Sequence, residues 1–192
     1  MKIQSTGARI GATNTHKITA AALLIAIGIA IPIISPFKIW LEPASFTLAS
    51  HVAIFIAMFI DPLIAIAVAI GTAISFFSLS IVVALRASSH LVFVIIGGLY
   101  LRKHPEILFN PAKVQLFAFL IALIHAAGEM IVVSAFYFGG SMTQYTSLQM
   151  VFLLIGLGSV VHSMVDFEIA LVVYRALCRQ KGFAAAFMRK AA

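Results

Sequence analysis

Twenty consecutive residues, Ile18 to Phe37, contain no Asp, Glu, Lys or Arg. A helix rises about 1.5 Å per residue, so about 20 such residues cross the roughly 30 Å hydrocarbon core of a bilayer. Further apolar runs of similar character follow along the chain, and composition agrees. The 192 residues are 62% hydrophobic and 10% charged, with a mean hydropathy of +1.12. Soluble domains average about 45–50% apolar and about 25% charged, and a small globule lacks the interior to hide such an excess. Disorder is excluded by the same figures. A disulfide scaffold is excluded by the single cysteine, Cys178. The chain therefore reads as an all-α integral membrane protein, one membrane domain over residues 1–192.

Six spans are predicted, at about 18–34, 46–60, 62–77, 80–101, 113–138 and 149–177. Ser35-Pro36 ends the first, because proline lacks a backbone donor and restricts the residue before it. The second run is short for a full crossing. It breaks at Asp61-Pro62, where Asp61 suits an N-cap and Pro62 the first turn of the next helix. Only about Ser78–Leu79 joins the third and fourth spans, which predicts a tight antiparallel pair. No segment reads as a cleavable signal peptide, since Met1–Thr15 is polar, and no internal repeat supports an inverted-repeat carrier.

Lysine and arginine set the direction. With the N-terminus inside, Lys2, Arg9, Lys17, Arg102, Lys103, Lys113, Arg175, Arg179, Lys181, Arg189 and Lys190 fall on the cytosolic side, 11 of 13. This bias predicts both termini in the cytosol. The net charge of +7 is thus a topology signal and does not point to nucleic acid. The tail 182–192, with Phe183 and Phe187, either lies on the anionic inner leaflet or is a free basic extension.

Ionisable groups at membrane depth are costly and face a partner, a cavity or a ligand. Three helices repeat one arrangement: Arg86 with His90, His125 with Glu129, and His162 with Asp166. Each pair is spaced i, i+4 and so shares a face. Counting rise per residue puts Arg86, His90 and Glu129 in the outer half, and His125 and His162 nearer the midplane. Arg86 and Glu129 either glue two helices as an ion pair or form an outward-facing pocket, with Arg86 for a carboxylate, phosphate or carbonyl. A metal held by His90, His125 and His162 is not expected, because they occupy two depths without a recognised metal motif. His51 and Glu168 are weaker candidates, and Asp166 and Glu168 lie too far inward for an outer site. External loops add Lys38, Trp40, Glu42, Gln144, Tyr145 and Gln149, as ligand contacts or as an interfacial aromatic belt.

Ala22, Ala26 and Ala30 recur every four residues on the first span, and Ala65, Ala69 and Ala73 on the third. Small-residue stripes let helices approach closely. The third-span set suits packing within the bundle; the first-span set suits either that or docking of a separate membrane subunit.

The opening Lys17-Ile18-Thr19-Ala20-Ala21-Ala22-Leu23-Leu24-Ile25-Ala26 resembles the substrate-binding S components of energy-coupling factor vitamin transporters. So do Pro43-Ala44-Ser45-Phe46-Thr47-Leu48-Ala49-Ser50-His51-Val52 and Leu85-Arg86-Ala87-Ser88-Ser89-His90. The resemblance covers nearly the whole chain. It implies a six-helix bundle with a vitamin site near the external face, built from the 35–46 loop, Arg86, His90, Glu129, Gln144, Tyr145 and Gln149, to which the reading of the helices adds His125 as a candidate. It further implies docking of a transmembrane coupling subunit on Ala22, Ala26 and Ala30, with two ATP-binding-cassette ATPases. No Walker A pattern is present, so ATP hydrolysis falls to other subunits. No cofactor or metal is expected: Met1-Lys2-Ile3 lacks the Met-His start of the cobalt and nickel members.

The expected function is capture of a small polar vitamin or precursor, of the hydroxymethylpyrimidine, pyridoxine, niacin or pantothenate class. The alternative is a self-sufficient secondary or proton-coupled carrier using the histidines. An enzyme is not expected, since Ser89–His90 and His162–Ser163 are sequence neighbours and cannot face each other on a helix.

Overall fold

The computed structural model describes residues 13–41, 44–140 and 147–187. Six apolar helices form the bundle: α1 (Asn14–Ile34), α2 (Val52–Ile60), α3 (Pro62–Phe76), α4 (Ile81–Lys103), α5 (Pro111–Phe138) and α6 (Leu148–Cys178). A short helix, α7 (Lys181–Phe187), follows. Between α1 and α2 lies an antiparallel hairpin, β1 (Lys38–Leu41) and β2 (Ala44–Thr47), with Lys38 opposite Thr47. By length and composition α1, α4, α5 and α6 can each cross a membrane, whereas α3 is shorter.

Local chemistry sets the helix starts. Thr13 and His16 form a reciprocal capping box on α1. Asp61 caps α3 by accepting the Leu63 N–H at 2.8 Å, with Pro62 behind it. Ser80 caps α4, Asn110 caps α5 ahead of Pro111, and Ser147 caps α6. Each polar side chain satisfies an N–H that the helix leaves bare.

The second span departs from expectation. The run 46–60 is helical only from Val52, because Ala44–Thr47 pairs with β1 and Leu48–His51 forms a turn. Ala49 in that turn has φ 68°, a left-handed conformation unusual for a side chain with a Cβ. The nine residues of α2 therefore reach about 14 Å, roughly half the hydrocarbon thickness. Every residue from Val52 to Phe59 is buried, as a helix apolar all round must be.

The aromatic core packs beside α2. Phe55 meets Phe93 at 5.6 Å and Phe167 at 5.2 Å between ring centroids, and Phe59 meets Phe167 and Tyr174 at 5.0 and 5.4 Å. Such tilted and edge-to-face contacts add to the burial of the rings. At the bundle end away from the hairpin, Lys17 Nζ donates to Asp61 Oδ2 at 2.9 Å and ties α1 to the α2–α3 junction. Phe183 and Phe187 of the tail pack on the core as part of α7.

The two alanine stripes part company. Ala65, Ala69 and Ala73 are buried within the bundle. Ala22 and Ala26 are exposed and Ala30 half-buried, while Leu24 and Gly28 face inward.

Candidate functional site

The turn before α2 brings bare backbone to the middle of the bundle, and α6 supplies what it lacks. Asp166 Oδ1 accepts the Ala49 N–H at 2.7 Å, and Oδ2 accepts the His51 N–H at 2.9 Å. The same carboxylate lies 3.1 Å from His51 Nδ1 and accepts from Ser50 Oγ at 3.5 Å. His162 approaches from one turn earlier on α6, with Nε2 3.1 Å from Ser50 Oγ. Non-helical backbone at membrane depth persists only where protein or a lined cavity satisfies it, and Asp166 does so here. It was expected to lie too far inward for the site. The short α2 lowers the turn to its level.

A second carboxylate anchors the other wing. Arg86 Nη2 donates to Glu129 Oε2 at 3.0 Å, and Ser159 Oγ donates to the same oxygen at 2.6 Å. The remaining oxygen, Oε1, faces His90 Nε2 at 3.5 Å and His125 Nε2 at 3.7 Å, and those two nitrogens lie 3.1 Å apart. His51 joins the wings, its ring 4.9, 4.7 and 5.0 Å from those of His90, His125 and His162. His90 and His125 were placed at different depths; their side chains close that gap. Phe93 seals the cluster on one side, 5.6 Å from His90 and 5.1 Å from His125.

Above this cluster is a cavity of about 110 Å³. Arg86, His90, Glu129, His51 and His162 line it with Ser45, Phe46, Thr47 and Ser50 from the hairpin and turn, and Gly28 and Thr72 from α1 and α3. Arg86 is buried, and its Nε has no hydrogen-bond partner among the described residues. Arg86 also lines the cavity and so offers it a guanidinium, a partner for an anion or a strong acceptor.

Helix α6 is wound unusually here. Val151–Leu157 is π-helical and gives way to α-helix at Gly158, immediately before Ser159 meets Glu129. Such windings are rare and frequent at functional sites. Gly158 lets α6 pass close to the hairpin: a Cβ there would meet Phe46 Cζ at 2.7 Å, so the ring would have to shift.

Of the expected site residues, Arg86, His90, His125 and Glu129 come together. Lys38 is exposed on β1. Gln149 is exposed on α6 beside Leu148, Phe152 and Leu153, away from the cavity. The Trp40 backbone lies in β1; Glu42, Gln144 and Tyr145 lie outside the described residues. Glu168 pairs with Gln115 Nε2 at 2.5 Å and takes no part in the cavity. Ser45 falls in the expected 35–46 loop; Thr47, Ser50, Thr72 and Ser159 were not expected. Small hydroxyls in apolar runs carry almost no signal, except that Ser50-His51 directly precedes an uninterrupted apolar helix.

Long apolar helices around a small polar cavity at depth define a multi-pass protein of the cell membrane. Among curated proteins, the niacin transporter NiaX of Lactococcus lactis subsp. cremoris (strain MG1363) is 44% identical over 162 residues, covering 82% of this chain and 72% of that protein. The chain belongs to this family of membrane transporters, of the S-component type its sequence resembles, and is a transport protein and not an enzyme. No family model matches the chain, and no solved structure does.

Proposed function

We propose that this protein is the substrate-binding subunit of an ATP-driven importer for niacin or a close pyridine carboxylate. The observation that carries the reading is the buried Arg86 guanidinium in the wall of the cavity. A carboxylate is the acceptor that a guanidinium edge matches best. One water needs about 10–15 Å³ of such space, so the cavity holds roughly ten non-hydrogen atoms. That suits one ring with one small substituent. Phe46 and Phe76 offer ring faces, and Ser45, Thr47 and Ser50 offer hydroxyls to a ring nitrogen. Pyridoxine and hydroxymethylpyrimidine lack the carboxylate, and pantothenate is a longer, flexible chain. The niacin transporter named above favours the same choice.

In this reading the whole chain is one membrane domain of six spans with both termini cytosolic, and the hairpin end faces outward. The basic residues at the other end support that direction. The exposed Ala22 and Ala26 form the approach surface for a transmembrane coupling subunit, which brings two ATP-binding-cassette ATPases.

The test is calorimetry on purified protein. Nicotinate is expected to bind one-to-one, and nicotinamide, without the carboxylate charge, at least about tenfold more weakly. Equal binding of both, or preference for pantothenate, overturns the substrate assignment. The contact among four imidazoles favours a second reading, a proton-coupled carrier. Niacin uptake by liposomes containing this chain alone would establish that reading instead.

A further inference from the structure

We propose that His51, His90, His125 and Glu129 form a site for one divalent transition-metal ion of the zinc class. Three donor atoms, His90 Nε2, His125 Nε2 and Glu129 Oε1, make a triangle with edges of 3.1, 3.5 and 3.7 Å. Zinc binds imidazole and carboxylate at about 2.0–2.1 Å, and a tetrahedron of that radius has edges of about 3.3–3.4 Å. The triangle brackets this value. It is too wide for good hydrogen bonds from either nitrogen to the carboxylate. His51 completes the set, with a ligand-capable atom within 4.8 Å of the other three donors.

The shell behind His51 and Glu129 supplies independent support. Metal-binding histidines characteristically donate their other ring N–H to a carboxylate, and His51 Nδ1 lies 3.1 Å from Asp166 Oδ2. Its Nε2 is then the nitrogen left for the cluster. Arg86 and Ser159 both occupy Glu129 Oε2, which holds Oε1 toward the imidazoles. Charge points the same way. With neutral imidazoles the cluster sets Arg86 against two carboxylates, Glu129 and Asp166, a net negative charge at a depth where uncompensated charge is costly. Borderline ligands of this kind suit zinc, cobalt and nickel over magnesium or calcium. His162, turned to Ser50 and Asp166, lies outside the quartet.

The experiment uses detergent-purified full-length protein with any affinity tag removed, stripped by chelator and titrated with cobalt(II) in the absence of vitamin. One equivalent is expected to bind, with the intense visible bands of tetrahedral cobalt, and zinc is expected to displace it. His125→Gln and Glu129→Gln should each weaken binding at least tenfold, and His162→Gln should leave it unchanged. Zinc-edge X-ray absorption of the unaltered protein should report nitrogen and oxygen ligands with at least two imidazoles, a readout that needs no variant to fold. Substoichiometric uptake, octahedral cobalt spectra, or unchanged affinity in His125→Gln overturns the site. Because no vitamin is present, these outcomes are separate from the niacin assignment.

Discussion

Asp166 on α6 accepts the backbone N–H of Ala49 at 2.7 Å, across 117 residues of sequence. With the His51 N–H bound to its other oxygen, this buried carboxylate acts as the cap that α2 does not supply for itself. Replacing Asp166 by Asn puts a donor where an acceptor is needed and removes the charge. The loss is expected to be about 2–5 kcal/mol, the range for breaking a buried charged hydrogen-bond set. Thermal unfolding in detergent should show a clearly lowered midpoint for Asp166→Asn. A midpoint equal to wild type would show that the turn holds its shape without the cap.

Arg86 should matter to ligand more than to folding. In the proposed site, Arg86→Lys keeps the charge but loses the planar fork, and niacin affinity should fall about 10- to 150-fold, the equivalent of one charged hydrogen bond. Calorimetry of Arg86→Lys beside Glu129→Gln checks this. Wild-type affinity in both variants would return the pair to a purely structural role.

Gly158 lies against the ring of Phe46, and Phe46 lines the cavity and sits 5.4 Å from His162. A methyl group at 158 displaces the far end of a side chain and no backbone. Gly158→Ala is therefore expected to unfold near the wild-type temperature and to bind niacin several-fold more weakly. Loss of stability with affinity intact would contradict the arrangement.

The Lys17–Asp61 tie predicts a pH dependence. Burial alone would raise the Asp61 carboxyl, but the bonds from Lys17 and the Leu63 N–H outweigh it, and the net shift is downward. A carboxylate lowered on folding contributes stability that is present above the usual range near about 4 and is lost as pH falls through the folded value. Between pH 5 and 8 this pair should therefore contribute no slope. Asp61→Ala should cost about 0.5–2 kcal/mol through the lost cap, and Asp61→Asn, which still caps, less than about 1 kcal/mol. Acid unfolding curves of the three proteins check the order.

The proposed docking of a coupling subunit on α1 gives a test at a distance from the cavity. Ala22→Trp or Ala26→Trp fills an exposed stripe, so niacin binding should persist while co-purification of the coupling subunit is lost. Normal co-purification would move the docking surface elsewhere.

The long helices were legible because charge-free runs of the right length leave a chain few alternatives, and Asp61-Pro62 announces its own cap; the Asn110 cap was missed, and the fifth helix starts at Pro111, two residues before the expected 113. The meeting of Arg86 with Glu129 was legible from depth counting. The hairpin was not. The stretch from Phe46 to Ile60 carries no Asp, Glu, Lys or Arg and is mostly apolar, and strand and buried helix share that signature over short lengths. Once 46–60 is read as a full second span, His51 is only a weaker candidate and Asp166 lies too far inward for an outer site. The shortness of that run was the usable sign, since a helix that stops halfway must hand its remaining depth to other backbone.

That handover shapes the cavity itself. Ser45, Phe46, Thr47, Ser50 and His51 all line it and all come from seven consecutive residues, while Arg86, His90 and Glu129 are fixed by helices whose packing serves the whole bundle. In the proposed site, recognition is thus split between a charged wall fixed by helices and one short ribbon of chain that belongs to none of them. Sequence change within the ribbon can retune which ring is held while the helices, their caps and the Arg86–Glu129 pair stay as they are.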